Sequence, residues 1–183
     1  ISKTVIKPVI DAMSAEGHPY KGLLYAGLMV TESGPKVVEF NCRFGDPETQ
    51  VVVPLIESDI VELFEATIDE TISSTRLRIT PWYSVGVVIA SGGYPDKYEK
   101  DKEIFGLDDV YLSPKQNIFH AGTIIKNGKM YTNGGRVLCM NAMNEDLNWA
   151  IEQAYFLVES VNFEKAYYRT DIGSKGAKRM YQP

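Results

Sequence analysis

The pattern of apolar and turn-forming residues in this chain predicts an α+β fold, in which antiparallel strands and helices occupy separate stretches of sequence. Three observations support this prediction. Two extended segments joined by a short turn form a hairpin near the start, helical patterns flank that hairpin, and the second half holds several short strands followed by one amphipathic helix. Asn-Gly and Gly-Gly turns separate the later strands, which favours antiparallel pairing over a doubly wound parallel sheet.

Five segments of the first 80 residues have regular patterns: helical at 4–15, extended at 22–30 and 36–42, helical again from 46, and helical over 60–68. The first extended segment is nearly all apolar, which is typical of a strand buried on both faces. A helix is expected from Asp46 because aspartate caps helix N-termini and Pro47 fits the first turn. Residues 71–81 are mostly polar, so we predict two domains, 1–80 and 81–183.

The second half is predicted to form an antiparallel meander that ends in a helix. Its strands are expected at 85–90, 118–125, 129–132 and 136–140, and its helix at 147–158. Asn127-Gly128 is a strong hairpin signal between two of these strands.

Charge and cysteine content argue against several functional classes. The net charge is −5 and 44% of the residues are hydrophobic, which indicates a packed protein without a nucleic-acid or membrane partner. Cys42 and Cys139 lie in apolar strand patterns, so we expect buried thiols in a reducing cytoplasm rather than a disulfide. No apolar run is long enough to span a membrane. Because the chain opens on Ile1, close to a helical pattern, we interpret it as a piece of a longer protein.

The second strand of the first hairpin carries the main candidate site. Side chains alternate between the faces of a strand, so Glu39, Asn41 and Arg43 share one face. Carboxylate and amide oxygens are ligands for Mg²⁺, and an arginine can bind the phosphate that the ion accompanies. A solvated hairpin face is an equal alternative from the spacing alone. The opposite face is apolar and is expected to pack on a core; its residues are Val38, Phe40 and Cys42.

The residues after this strand have two interpretations each. Arg43 either clamps a phosphate or carboxylate or forms an ion pair with Asp46 or Glu48. Asp46 and Glu48 fit capping and dipole compensation at a helix start, and in a functional role they would favour an ammonium group or a metal. His120 is interpreted as a structural or substrate-contacting residue rather than a base.

The glycine turns Gly92-Gly93 and Gly134-Gly135 either let the backbone approach a phosphate or serve hairpin geometry. No Walker-type loop and no dinucleotide-binding glycine motif is present. The two histidines and two cysteines form no zinc-like spacing.

The stretch from Glu39 to Gln50, EFNCRFGDPETQ, resembles the signature of the glycinamide ribonucleotide synthetases, also called phosphoribosylamine–glycine ligases, which are ATP-grasp enzymes of purine synthesis. Further blocks resemble the same family in the same order: YAGLM at 25–29, ASGGYP at 90–95, FHAGT at 119–123, TNGGRVL at 132–138 and RTDIG at 169–173. The resemblance implies the C-terminal half of an ATP-grasp domain, an antiparallel sheet with helices, followed by a small β-rich domain with a helix.

The resemblance also implies a reaction and a set of site residues. ATP, glycine and 5-phosphoribosylamine would give glycinamide ribonucleotide, ADP and phosphate through a glycyl phosphate. Glu39 and Asn41 would bind Mg²⁺ or Mn²⁺, and Arg43 would steady the transferring phosphoryl group. Substrate contacts are expected from Asp46, Glu48, Gly134, Gly135 and Arg136.

The chain departs from the family pattern in two places. Many ATP-grasp ligases carry a metal-binding acid on the preceding strand, where this chain has Ala26 and no acid from 22 to 30. Lys175-Gly176 stands where an Arg-Ala pair is expected. The rest of the enzyme would precede Ile1, so we expect the missing N-terminal part as a partner and no activity from this piece alone.

A different class of function is a non-catalytic binding or interaction module that keeps the ligase fold. Loss of Glu39 or Asn41 would favour that interpretation, and both are present. Another ATP-grasp ligase, such as a biotin-dependent carboxylase component, would need its own signature after the metal strand, and the block from 43 to 50 argues against it.

Overall fold

A computed structural model describes residues 1–180. The chain divides into two compact units, one made of 1–49 with 56–79 and the other of 50–55 with the residues from 80 onward. Both contain antiparallel strands and helices, which confirms the α+β class. The predicted domain boundary at residue 80 stays a prediction. No helix among residues 1–180 combines the length and the apolar character needed to cross a membrane.

The first unit has one α-helix near its start and another in its later part. A π-helical turn, Ser2–Ile6, leads into α1, Lys7–Ala15, in agreement with the predicted helix. The last helix of this unit, α3, is Ile60–Ile68. Its N-terminus is capped by the Asp59 carboxylate, which accepts a hydrogen bond of 2.8 Å from the backbone of Val61.

Between these helices lies a two-stranded antiparallel hairpin. Strand β1 is Tyr25–Thr31 and strand β2 is Gly34–Asn41. The ladder shifts between Gly27 and Leu28, because Leu28 pairs with Val37 whereas Gly27 pairs with Glu39. Val38 is therefore the extra residue of a β-bulge. It shifts by one residue all the strand pairs that lie farther from the hairpin turn.

The predicted burial of this hairpin is wrong. Met29 and Val30 are 59% and 78% exposed, so β1 is not buried on both faces. On β2, the supposed core face is also open, since Val38 is 68% exposed and Phe40 38%. The physical reason is that the hairpin is a sheet of only two strands, and no described layer of the first unit covers this face. Cys42 is exposed for the same reason and is not the buried thiol expected.

The helix predicted to start at Asp46 begins later. The Asp46–Pro47 peptide is cis, and residues 46–48 form a turn. Helix α2 is Thr49–Val52 and is followed by a 3₁₀ turn, Val53–Leu55. The Thr49 hydroxyl donates a hydrogen bond of 2.6 Å to the carbonyl of Gly45, which fixes the turn to the helix. Asp46 therefore lies in the turn that precedes the helix and not at its first position.

The polar segment after α3 is ordered. It holds a 3₁₀ turn, Ile72–Ser74, and an antiparallel bridge between Ile56 and Ile79. The backbone N–H of Glu57 donates to the carbonyl of Arg78 at 3.0 Å. These bonds tie the segment back to the residues that precede α3.

The second unit is built on a four-stranded antiparallel sheet in the order β4-β7-β3-β8. Its strands are β3, Tyr83–Ser91; β4, Gln116–His120; β7, Arg136–Asn144; and β8, Ala166–Tyr167. A separate hairpin of β5, Thr123–Lys126, and β6, Lys129–Thr132, turns at Asn127-Gly128 as predicted. The unit also contains a 3₁₀ turn at Leu107–Asp109 and helix α5 at Ser174–Met180.

Two features of this sheet differ from the predicted meander. The strand expected at 118–125 is split by a bend at Ala121-Gly122 into β4 and β5. Strand β7 does not continue from β6 but lies between β4 and β3. The bend allows β4 to stay in the main sheet while β5 pairs with β6.

Helix α4, Leu147–Glu159, covers one face of this sheet and forms the main core of the second unit. Its apolar positions recur at helical spacing, and the fully buried members include Ala150, Ala154 and Leu157. The Asp146 carboxylate caps the helix by accepting hydrogen bonds from the backbone of Asn148 and Trp149. Cys139 is buried in the sheet, as expected.

An exposed ion network ties the loop after β3 to the segment before β8. Glu99 contacts Lys102 and Lys165 at 2.7 Å each, and Lys102 also contacts Glu164 at 2.9 Å. Hydrogen bonds from Lys102 and then Lys165 lower the pKa of Glu99 to about 2, from an ordinary value of 4.5. The same network raises the pKa of Lys102.

We expect NMR titration of this chain to give a Glu99 carboxyl pKa near 2. Because the folded pKa lies below the unfolded one, Glu99 contributes stability above pH 4.5 and loses it as the pH falls towards 2. Glu99→Gln should therefore flatten the acid limb of the unfolding curve. Glu145→Gln, an exposed glutamate in the same unit, is the control. A Glu99 carboxyl that titrates near 4.5 would contradict the network.

Candidate functional site

Glu39 and Asn41 project from the same face of β2, as their spacing predicts. The Asn41 amide nitrogen donates a hydrogen bond of 3.1 Å to Oε1 of Glu39, so the two polar groups converge. Glu39 is exposed and Asn41 is half-buried. A half-turn of the amide exchanges its nitrogen and oxygen, and the pair then presents carboxylate and amide oxygens side by side. This donor set suits a hard divalent cation.

The facing strand leaves room for this pair. Gly27 lies opposite Glu39, and a Cβ on Gly27 would come within 3.1 Å of the Glu39 Cγ. The glycine therefore allows the glutamate to lie across β1. If the strand pairs are counted from the hairpin turn without a bulge, Ala26 falls opposite Glu39. The bulge at Val38 places Ala26 opposite Phe40 instead.

Tyr25 is a site residue that the sequence reasoning missed. It lies opposite Asn41 in the ladder, and its hydroxyl donates a hydrogen bond of 3.1 Å to Oε1 of Glu48. Burial raises the pKa of Tyr25, and the hydrogen bond to Glu48 and the charges of Glu48 and Glu39 raise it further. The tyrosine thus connects the turn at 46–48 to the polar face of the hairpin. A register count that included the bulge would have found it.

Arg43 follows the hairpin in an irregular segment and is exposed. Its Nη1 donates a hydrogen bond of 2.9 Å to the carbonyl of Phe44. Among the described residues it forms no ion pair with Asp46 or Glu48, which was the alternative expected for it. Asp46 lies in the turn at 46–48. The guanidinium is therefore held only through a backbone carbonyl.

The donor set of the Glu39–Asn41 pair determines which cation it can hold. Within residues 1–180, no group of three or more His, Cys, Asp or Glu side chains is placed to hold a metal ion. Two protein oxygen donors are nevertheless compatible with Mg²⁺, which keeps several waters and takes substrate phosphates as ligands. Glu39 and Asn41 therefore fit an ion that arrives with a nucleotide.

The remaining site candidates, Gly134, Gly135 and Arg136, belong to the second unit. The hydroxyl of Ser91 donates to the carbonyl of Gly134 at 2.8 Å, and the Ser91 N–H donates to the carbonyl of Gly135 at 2.8 Å. A Cβ on Gly135 would overlap the ring of Tyr94. These contacts account for the glycines by close packing. Arg136 begins β7, and the substrate role of all three stays a prediction.

His120 lines a cavity of about 670 Å³ in the second unit. Its lining combines apolar residues, such as Phe105 and Met130, with charged ones, such as Glu103 and Lys129. Nδ1 of His120 is 3.1 Å from the Thr123 hydroxyl, which orients the ring. Glu103, Asp108 and Asp109 line the same cavity, and the non-basic role of His120 stays a prediction.

Comparison with known families identifies the class of this protein first. Residues 1–49, which contain the hairpin and its polar face, match the family described as "Phosphoribosylglycinamide synthetase, ATP-grasp (A) domain". The hairpin therefore belongs to an ATP-grasp domain. Residues 84–175 match "Phosphoribosylglycinamide synthetase, C domain". The chain belongs to the phosphoribosylglycinamide synthetase family, and the resemblance found in its motifs is confirmed.

Individual relatives agree with this assignment. The chain is 45% identical over its whole length to a phosphoribosylamine–glycine ligase of Vibrio vulnificus, of which it covers 42%. It is 49% identical to a trifunctional purine biosynthetic protein adenosine-3 of Gallus gallus, of which it covers 18%. A crystal structure of the Thermotoga maritima phosphoribosylamine–glycine ligase superposes with a TM-score of 0.72 at 37% identity, over 93% of this chain and 44% of that one. The chain thus spans less than half the length of these relatives.

Proposed function

We propose that this chain is the C-terminal portion of a phosphoribosylamine–glycine ligase of purine biosynthesis. The enzyme would join glycine to 5-phosphoribosylamine with ATP as co-substrate and release glycinamide ribonucleotide, ADP and phosphate. The observation that carries the proposal is the convergence of Glu39 and Asn41, 3.1 Å apart, within the segment that matches an ATP-grasp domain. The names of the relatives and the partial coverage of their lengths support it.

In this proposal Glu39 and Asn41 hold Mg²⁺ or Mn²⁺. When bound there, the ion would neutralise the charge that develops on the transferred phosphoryl group. Arg43, held only by a carbonyl at 2.9 Å, is free to exchange that contact for the phosphoryl oxygens of the activated glycine. Asp46 and Glu48 would favour the amino group of a substrate rather than a phosphate, because both are anionic.

The proposed reaction has two steps. A carboxylate oxygen of glycine attacks the γ-phosphorus of ATP, and ADP leaves with the electrons of the broken P–O bond. The nitrogen of 5-phosphoribosylamine then attacks the acyl carbon of glycyl phosphate, phosphate departs, and the nitrogen loses a proton. Gly134, Gly135 and Arg136 are proposed to contribute substrate contacts. The whole enzyme is proposed to work in the cytoplasm.

The open apolar face of the hairpin supports a piece of a larger enzyme. Val38 and Phe40 remain exposed here, and the relatives are more than twice as long as this chain. We propose that the preceding part of the same enzyme covers this face and supplies the other half of the nucleotide site. The partner of this chain is then that N-terminal part.

We expect the isolated 183-residue chain to be inactive, because it covers only 42% of a full ligase. ADP release should be measured with ATP, Mg²⁺, glycine and 5-phosphoribosylamine, with the full-length ligase as the positive control. Turnover by the isolated chain that depends on both substrates would contradict the proposed division of the site. A full-length protein that releases no ADP in response to glycine and ribosylamine would contradict the proposed function itself.

A further inference from the structure

The hydrogen bond between Tyr25 and Glu48 connects two segments that are 23 residues apart in the sequence. Tyr25 is half-buried on β1, opposite Asn41, so it stands on the same face of the hairpin as the Glu39–Asn41 pair. Glu48 lies in the turn that follows the hairpin. The tyrosine hydroxyl, at 3.1 Å from Oε1, therefore holds the turn carboxylate beside the polar face.

The other oxygen of the same carboxylate lies close to the backbone of Gly45. Glu48 folds back over Gly45, and a Cβ on Gly45 would overlap Oε2 of Glu48. Gly45 itself is buried, so the carboxylate lies against backbone rather than in open solvent. Tyr25 thus orients the Glu48 carboxylate, and the lack of a side chain on Gly45 leaves room for it.

The Glu48 carboxylate has an uncharged hydrogen-bond partner in the part of the chain that the structure describes. Its described polar partner is the uncharged Tyr25 hydroxyl, and none of the lysines or arginines in the described ranges forms an ion pair with it. A half-buried carboxylate that is oriented but not neutralised is suited to receive a cationic group from a ligand. Glycine carries an ammonium group, which the ligation leaves unchanged.

We propose that Tyr25 is a positioning residue that orients the Glu48 carboxylate to bind the ammonium group of the amino-acid substrate. This inference rests on the proposed function. It assigns Glu48 to the amino end of glycine, while Glu39 and Asn41 serve the ion that accompanies ATP. Tyr25 acts only through Glu48, so its removal should weaken glycine binding and leave metal binding intact.

The test uses Tyr25→Phe and Glu48→Gln in a full-length ligase that carries this sequence. We expect Tyr25→Phe to raise the glycine KM about 10-fold or more, with the ATP KM unchanged, because a hydrogen bond to a charged group is lost. Glu48→Gln should raise it about 100-fold. Tyr20→Phe is the matched control, since the Tyr20 hydroxyl donates at 2.6 Å to the Leu23 carbonyl, away from Glu48.

Two further measurements separate positioning from a structural or metal role. In a double-variant cycle, Tyr25→Phe should have no additional effect on glycine KM in the Glu48→Gln background. Additive effects would overturn the inference. Mn²⁺ affinity, measured by EPR without substrate, should be equal in wild type and both variants; a loss of Mn²⁺ binding would make Glu48 a metal ligand and reject the ammonium assignment.

Failure of this inference is distinct from failure of the proposed function. An enzyme that turns over glycine normally in both variants would remain a ligase, and only the role of Tyr25 and Glu48 would be rejected. Direct titration of glycine by calorimetry, with a non-hydrolysable ATP analogue present, checks the KM changes as binding changes. A glycine affinity unchanged by Glu48→Gln would reject the inference.

Discussion

Glu39→Gln in the full-length ligase should lower kcat/KM by about 100-fold or more. The substitution keeps the shape of the side chain but removes the anionic member of the Glu39–Asn41 pair. A bound metal ion contributes several kcal/mol to transition-state stabilisation, and each tenfold change in rate corresponds to about 1.4 kcal/mol. The fold should be unaffected, because Glu39 is exposed and its Cγ lies over the open space at Gly27.

Turnover, Mn²⁺ affinity by EPR and thermal unfolding should be measured together for this variant. Glu32→Gln, an exposed glutamate in the turn of the same hairpin, is the matched control and should match wild type in all three. We expect Glu39→Gln to weaken Mn²⁺ binding as well as turnover. Wild-type turnover in Glu39→Gln, with unaltered Mn²⁺ binding, would show that the ion is held elsewhere.

The shared face of Glu39 and Asn41 was predictable because side-chain direction in a strand alternates with a period of two. That rule needs no knowledge of partners, and it survives the bulge because the bulge lies at Val38, before both residues. The hairpin turn and the later Asn127-Gly128 turn were predictable for a similar reason. Both depend on local backbone preferences, of Gly34 in the first turn and of Asn127 and Gly128 in the second.

The register between the two strands was not predictable, because one extra residue in β2 shifts every pair beyond it. Counting without the bulge places Ala26 opposite Glu39 and does not pair Tyr25 with Asn41. The structure places Gly27 opposite Glu39 and Tyr25 opposite Asn41. A β-bulge has no sequence signal as strong as that of a turn.

Burial of the hairpin could not be predicted from apolarity alone. An apolar strand face indicates that something covers it, but not that the covering layer lies within the same stretch of chain. Phe40 is 38% exposed although its pattern is that of a core residue. In contrast, the helix at 147–158 was predictable together with its buried face, because the sheet that covers it lies in the same unit.

That buried face makes Leu157 a position where truncation should have a large effect on stability. Leu157 is completely buried on α4 and belongs to the core formed with β3 and β7. Leu157→Ala removes buried methyl groups and leaves a cavity in a core that can only partly relax. We therefore expect it to lower the free energy of unfolding by about 2.7–5 kcal/mol.

Urea unfolding followed by tryptophan fluorescence measures this loss, because both tryptophans, Trp82 and Trp149, lie in the second unit. Phe156→Ala is the matched control. Phe156 is the preceding residue of the same helix but is 62% exposed, so its removal should change the free energy of unfolding by less than about 0.5 kcal/mol. Since alanine also favours the helix at both positions, the difference between the two variants isolates burial from helix propensity. Equal losses for Leu157→Ala and Phe156→Ala would mean that α4 is not packed on the sheet through its Leu157 face.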